Sequence, residues 1–311
     1  MAHEVIAFGE ALWDLLPDGE KLGGAPLNFA YRMASLGRRT ALVTALGTDA
    51  LGDRAAAILT DLGIDTQYVR RDPEHATGTV PVTLAESGSP QYVILPDVAY
   101  DYIEPSEALL ADASAAKCIC FGSLVQRDAV SRSTLHEMLA AAPDSFKVYD
   151  INLRRDCYSR EIIETSLGSA SMLKLNDDEV ETVSELFDFP VSTIPDFCRQ
   201  VLERWPLSLV VVTLGAKGAL AVSREAAAYS PGRKVTVADT IGAGDAFTAG
   251  FVHKYLDGAD LQTCCAYGNA LGALVAGTNG GTEYIAPSQI EAFLANDRDL
   301  TVDPEIAAVL G

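Results

Sequence analysis

The chain has 311 residues, 49% of them hydrophobic and 21% charged, with a formal charge of −20 from 23 basic and 43 acidic side chains. This is enough apolar material for a sizeable core, and the length falls between one large α/β domain and two smaller ones. So acidic a surface repels nucleic acid and anionic lipid on average, which sets both aside as partners and confines any anionic ligand to a local site. Six cysteines (118, 120, 157, 198, 264, 265) form no Cys-x-x-Cys pair, and Met-Ala-His-Glu-Val at the start has no basic region ahead of an apolar stretch. Both features read as cytoplasmic. Cys118 and Cys120 share a strand face as small core hydrophobes, and four scattered histidines give no reason to expect a protein-ligated transition metal.

In chain order, short apolar runs at Val5 to Phe8, Ala41 to Leu46, Lys117 to Phe121, Lys147 to Ile151, Met172 to Leu175 and Leu209 to Thr213 predict buried parallel strands. Between them lie helical stripes, such as Leu27, Ala30, Tyr31 and Ala34, then Ala56, Leu59 and Leu62. The alternation predicts a βαβ sheet with helices on both faces. Thr79 to Leu84 and Gln91 to Leu95, joined by Glu-Ser-Gly-Ser-Pro at 86 to 90, break the rhythm and predict a β-hairpin, either a sheet edge or a flap over a ligand. The apolar stretch from Leu209 to Val222 is interrupted by Lys217 and glycines and is too short to span a membrane. With no repeat and no composition break, a single domain over 1–311 is the economical expectation.

The most informative stretch is Asp239-Thr-Ile-Gly-Ala-Gly-Asp-Ala-Phe-Thr-Ala-Gly-Phe251, between the strand-like Lys234 to Val237 and a helical Ala246 to Leu256. Gly242, Ala243 and Gly244 sit where a helix begins, so their N–H groups and the helix dipole outline an anion hole. Asp245 occupies the first turn, where it is either an ordinary N-terminal acidic residue or a carboxylate beside a ligand. The Rossmann pattern fails for want of a third glycine, and the Walker A loop fails because the chain has no Gly-Lys dipeptide.

This stretch resembles the C-terminal signature of PfkB/ribokinase-type carbohydrate kinases. The family's N-terminal glycine motif is matched by Gly23-Gly-Ala-Pro-Leu-Asn28-Phe-Ala, running to Leu36-Gly37. The resemblance covers nearly the whole chain, from Gly9-Glu10 to Asn269. It implies a ribokinase-like three-layer αβα sandwich with a mostly parallel central sheet and a small β lid, formed by segments near 11–22 and 77–103. It further implies that Asp245 is the base that deprotonates the acceptor hydroxyl while the N–H groups of Gly242, Ala243 and Gly244 hold phosphoryl oxygens. Asp14, Gly24 and Asn28 match the sugar-pocket positions, and a carboxylate with an amide suits a polyol. Read without the family, Asp14 is a turn residue and Asn28 a helix cap.

Asp150-Ile-Asn152-Leu-Arg154 resembles the Asp-x-Asn-x-Arg motif of fructokinase-like and ketodeoxygluconate-kinase-like members, giving Asn152 to the acceptor and Arg154 to the acceptor or a phosphate oxygen, while Arg154 read alone is equally an exposed ion-pair residue. Tyr158 stands where the family often has Trp. Asn176-Asp-Asp-Glu179 matches the element that organises Mg²⁺ through water, although the tetrad alone reads as helix capping. Thr213, Gly215, Lys217 and Gly218 resemble the turn that lines ATP, and Asn269 a position near the adenine. Asp239 and Ile241, with the loop from Val275 to Tyr284, correspond to a K⁺ site, though Thr278-Asn279-Gly280 departs from the usual residues. Family lids also meet across dimer interfaces, so a homodimer is an expectation of the same kind. The implied reaction transfers the ATP γ-phosphate to a primary hydroxyl of fructose or a close ketose. Other acceptors are 2-keto-3-deoxygluconate, another sugar or a nucleoside; a non-catalytic sugar sensor is the reading from a different class.

Overall fold

The computed structural model describes residues 2–16, 19–84, 90–154, 156–190, 193–296 and 300–310. They gather into two compact units, one holding the chain up to Ala34 with Arg38–Ser145, the other Ser35–Gly37 with the chain from Phe146 onward.

The first unit runs β1 (Val5–Phe8), β2 (Leu12–Leu16), β3 (Gly19–Gly23), α1 (Ala25–Ser35), β4 (Thr40–Gly47), α2 (Ala50–Asp61), β5 (Val69–Asp72), β6 (Gly78–Leu84), β7 (Pro90–Tyr92), α3 (Glu107–Ala115), β8 (Cys118–Phe121) and α4 (Ala129–Ala141). Strands β8, β1, β4 and β5 lie in that order, all parallel. Every residue of β1, β4 and β8 is buried, the mark of strands covered on both faces. A second sheet has the order β3-β2-β6-β7. Its antiparallel β6–β7 pair is the expected hairpin, with the second strand ending at Tyr92 rather than Leu95. Of the turn expected at 86–90 only Pro90 is among the described residues, and positions 17 and 18 of the first lid segment lie outside them as well.

Side-chain caps explain where the helices start. Asp49, Ser106 and Asp128 accept first-turn N–H groups of α2, α3 and α4. With Asp49 as cap, α2 buries Gly52, Ala55 and Leu59. Ala56 is only half-buried and Leu62 lies beyond the helix end, so the buried stripe is rotated from the predicted one. His3 staples the N-terminal segment: its Nδ1 lies 2.5 Å from Asp112 Oδ2 and its Nε2 3.0 Å from Asp65 Oδ2. Burial works against charge on His3, but the hydrogen bonds and attraction of Asp112 and Asp65 prevail and raise its pKa above 6.5.

The second unit runs β9 (Phe146–Asp150), α5 (Arg160–Ser169), β10 (Met172–Asn176), α6 (Asp177–Phe187), α7 (Ile194–Arg204), β11 (Leu209–Thr213), β12 (Ala219–Ser223), β13 (Ala227–Ser230), β14 (Gly232–Arg233), α8 (Ala243–Leu256), α9 (Leu261–Ala276), α10 (Pro287–Leu294), β15 (Leu300–Thr301) and α11 (Pro304–Leu310). Its sheet has the order β13-β12-β11-β10-β9, parallel from β9 to β11 and antiparallel at the β12 and β13 edge. The strand expected at Lys234 to Val237 is absent, because that segment has no neighbouring strand. Just after it, the N–H groups of Ala238 and Asp239 bond instead to the Ala276 carbonyl at the end of α9, at 2.8 and 3.3 Å.

Helices α8 and α9 pack unusually closely because α9 presents glycines. A Cβ on Gly268 would come within 2.9 Å of Phe247, and one on Gly272 within 2.9 Å of the Ala243 carbonyl. The position of the first turn of α8 is therefore set by the absence of a side chain at 272. All six cysteines are free and buried, and burial pushes the thiols of Cys118 and Cys198 up. Among the described residues no helix is long and apolar enough to cross a membrane.

A His group with a raised folded pKa contributes stability that is complete below its unfolded value, about 6.5, and lost as pH rises through the folded value. Asp65 and Asp112 have lowered pKa values, so their share is lost only in stronger acid. The difference in thermal midpoint between wild type and His3→Gln is therefore expected to be largest near about pH 5.5 and to shrink toward pH 9. Gly272→Val should cost about 1–3 kcal/mol in denaturant unfolding through overpacking against Ala243.

Candidate active site

Unlike the helices capped by Ser, Thr, Asp or Asn, α8 is entered through Gly242, which has φ 76° and no capping side chain. That left-handed conformation suits glycine, and it leaves the first turn without a side-chain acceptor in front of it. The first i−4 bond runs from Ala246 N–H to Gly242 O, at 2.8 Å. Ala243 N–H closes a turn on Thr240 O at 3.2 Å, so an anion bound here would have to share that donor. Gly244 is exposed and Asp245 half-buried in the same turn.

Beneath this turn lies a buried polar bracket. Lys174, from the middle of β10, places its Nζ 3.1 Å from Asp150 Oδ1 at the end of β9. The other carboxylate oxygen, Asp150 Oδ2, is 2.7 Å from the Thr248 hydroxyl of α8, which is also 3.1 Å from the Gly244 carbonyl. Lys174 and Asp150 are each 6% exposed and Thr248 not at all. A Cβ built on Gly244 would meet Lys174 Nζ at 3.4 Å, so the ammonium lies directly against the turn that carries Asp245. Burial opposes charge on Lys174, but Asp150, Glu179 and Asp245 outweigh it, and the pKa is raised.

Asn152, Leu153, Arg154, Asp156, Tyr158, Asn176 and Glu179 help line one cavity of about 680 Å³. Two motifs read separately in the sequence, Asn152 with Arg154 and Asn176 with Glu179, thus meet at one place. Asn152 holds φ 40°, uncommon for a side-chain-bearing residue, two positions after the Asp150 strand end. Arg154 is exposed. Asn176 and Glu179 form a capping box: Asn176 Oδ1 accepts Glu179 N–H and Glu179 Oε2 accepts Asn176 N–H, both at 2.8 Å. Glu179 Oε1 accepts Leu153 N–H at 2.8 Å. Burial pushes the Glu179 pKa up, opposed by the Lys174 charge and these N–H groups. Each of its oxygens keeps a lone pair beyond its backbone bond, which suits the water shell of a hydrated dication better than direct ligation.

The other sequence candidates sit as follows. Thr213, Gly215, Lys217 and Gly218 form the β11–β12 connection, with a 3₁₀ turn at Gly215–Lys217. Lys217 Nζ is drawn to Asp303 Oδ2 at 3.0 Å. Asn269, buried in α9, donates its amide to the Ser230 carbonyl at 2.9 Å, and Gly218 packs against the same carbonyl. The Asp239 side chain accepts Ile241 N–H at 3.0 Å, while its backbone abuts Ala276, so the 239–241 turn and the start of the 275–284 loop do come together.

In the first unit, Gly24 has φ 125° and a Cβ there would fall 2.4 Å from Glu10 O, so only glycine fits. Asp14, on β2, has Oδ2 3.3 Å from the Cβ position of Gly23. Asn28 is buried inside α1 rather than capping it, with its N–H on Gly24 O at 2.9 Å. The first turn of α1 is held by Glu10, whose Oε1 accepts Ala25 N–H at 3.1 Å.

Sequence reasoning passed over Glu10, Lys174 and Thr248. A lysine between Leu173 and Leu175 in an otherwise apolar strand was a readable signal, because a charge at a buried strand position needs a partner. Thr248 gave none.

Residues 18–288 match the profile of the pfkB family carbohydrate kinases. The chain is 30% identical over 265 residues to a fructokinase of Klebsiella pneumoniae, covering 81% of this chain and 84% of that one. It is 29% identical to the probable fructokinase-3 of Arabidopsis thaliana, with 93% and 90% covered. Among solved structures, a Vibrio cholerae fructokinase with fructose, ADP and calcium ion bound superposes with a TM-score of 0.79 at 28% identity, over 93% of this chain and 98% of that one. The 2-dehydro-3-deoxygluconokinase of Thermotoga maritima shares the fold, with a TM-score of 0.81 at 20% identity over 94% and 99%. The architecture is the ribokinase-like α/β fold with a mostly parallel central sheet. With the glycine-entered helix, its acidic first turn and the profile match over most of its length, the chain belongs to the pfkB family of carbohydrate kinases, phosphotransferases that act on a sugar hydroxyl.

Proposed function

We propose that the protein is a fructokinase that transfers the γ-phosphate of ATP to a primary hydroxyl of fructose, with Asp245 as the proton acceptor. The observation that carries this reading is the entry to α8: Gly242 at φ 76°, no capping side chain, and Asp245 in the first turn beside a buried ammonium. In the transfer the acceptor oxygen forms a bond to the γ-phosphorus, the bond to the β–γ bridging oxygen breaks, and ADP leaves with the electron pair. The hydroxyl proton passes to the Asp245 carboxylate. First-turn N–H groups of Gly242, Ala243 and Gly244 hold phosphoryl oxygens, so transition-state charge builds where dipoles already point. Asp14, Gly24, Asn28, Asn152 and Arg154 are the proposed acceptor contacts, and Thr213, Gly215, Lys217, Gly218 and Asn269 the proposed nucleotide wall.

Glu179 and Asn176 would hold hydrated Mg²⁺ on the nucleotide phosphates, where the cation neutralises their charge. Asp239, Ile241 and the 275–284 loop are the proposed K⁺ neighbourhood. In this reading the two units act as one kinase domain, whose β3-β2-β6-β7 sheet serves as the lid and the homodimer contact. Fructose is favoured by the relatives' activities. Arg154, a cation on the wall of the cavity, favours a second reading in which the acceptor is the carboxylate-bearing 2-keto-3-deoxygluconate.

The test is ADP release with MgATP, with and without KCl, across fructose, 2-keto-3-deoxygluconate, ribose, glucose, tagatose and adenosine. Fructose is expected to give the highest kcat/KM, and Asp245→Asn to lose at least about 10²-fold in kcat. Higher kcat/KM with another acceptor would replace fructose and leave the base in place. Silence on every acceptor would favour a sugar sensor.

A further inference from the structure

Lys174 is the least expected residue of the second unit. Its ammonium is buried at the N-terminal end of α8, where the helix dipole already supplies partial positive charge, so its position is unfavourable unless anions accompany it. Three do, each from a different element: Asp150 from β9, Glu179 from α6 and Asp245 from α8. Asp150 lies 3.1 Å from it and spends its second oxygen on Thr248. Thr248 in turn reaches the Gly244 carbonyl. The four groups form one continuous chain of polar contacts from the middle of the sheet to the turn that carries Asp245.

Resting on the reading of Asp245 as the base, we infer that Lys174 is a positioning residue for phosphoryl transfer: packed against Gly244 and held by Asp150, it fixes the first turn of α8 and offsets the charge of Asp245. The physical need is plain. A carboxylate base and a phosphoryl group are both anions, and bringing them together repels the substrate unless a cation lies close by. Water cannot screen the Lys174 charge, because its side chain is only 8% exposed, so the offset persists when the site fills. Asp150 anchors the cation, and Thr248 ties the anchor to the helix, so the ammonium cannot swing out to meet phosphate directly without breaking the pair.

The experiment compares Lys174→Met with the paired Asp150→Asn/Lys174→Met, reading thermal midpoint, kcat and acceptor KM at saturating MgATP. The acceptor is the sugar with the highest turnover in the panel above. Truncating one partner of a buried pair leaves an uncompensated charge, whereas neutralising both often leaves stability intact. The expected result is a lowered midpoint for Lys174→Met that the paired variant recovers. In both variants kcat should fall by about 10²-fold while acceptor KM moves less than about threefold. A paired variant that recovers both midpoint and kcat makes the pair purely structural and overturns the proposal. So does a Lys174→Met kcat within threefold of wild type, or a paired variant that fails to fold. If Asp245→Asn keeps wild-type turnover, the reading of the base falls; if it is inactive while Lys174→Met is normal, only the role of Lys174 falls.

Discussion

An ammonium and a carboxylate buried against each other pay a desolvation penalty that their attraction offsets only when geometry is good and their remaining hydrogen-bonding capacity is used. The Lys174 and Asp150 pair meets that condition through Thr248, and the site is organised around it. Asp150 stands at the end of β9, Lys174 on β10 and Thr248 in the second turn of α8. One ion pair therefore joins two neighbouring parallel strands to the helix whose first turn carries Asp245 and the candidate anion hole. Close packing on α9 completes the placement, since Gly272 lets the Ala243 carbonyl come within a distance that any side chain would prevent.

The strand pattern was legible because parallel strands covered on both faces read as uninterrupted apolar runs, and β1, β8 and β11 lie within one residue of where those runs predict them. The Lys234 to Val237 run misled for the converse reason. Its β-branched residues carry strand propensity, but strand formation requires a neighbour, and the backbone that follows finds a helix end instead. The buried face of α2 was misplaced because the apolar residues Ala56 and Leu62 outweighed Gly52, which packs tightly for want of a side chain.

Much of the candidate site was readable from motif and spacing. Asn152, Arg154, Asn176 and Glu179 are spread over nearly thirty positions yet line one cavity, and the helix-start reading of Gly242 to Asp245 matches the observed entry to α8. The sequence left open whether Asn176 and Glu179 cap a helix or serve a cation. The capping box is present, and it leaves lone pairs on Glu179, so the two readings are compatible. What spacing could not supply was the pairing of Lys174 with Asp150 and Thr248. Those contacts depend on strand order and on the rotation of α8, neither of which a local pattern encodes.

Glu10 teaches the same lesson in the first unit. It follows β1 and supplies the acceptor that α1 lacks at its own start, while Gly24 can approach Glu10 only because it has no Cβ. Gly24 and Asn28, proposed for sugar binding, thus rest on a backbone arrangement that is itself fixed by a buried carboxylate and a glycine.

The central claim, that Asp245 takes the proton of the acceptor hydroxyl, is tested most directly by a crystal structure with the preferred sugar and a non-hydrolysable ATP analogue. The account predicts the phosphorylated hydroxyl at about 3 Å from a carboxylate oxygen of Asp245, within hydrogen-bond reach of the base. A hydroxyl beyond that reach, with another ionisable side chain in contact with it, would contradict the account.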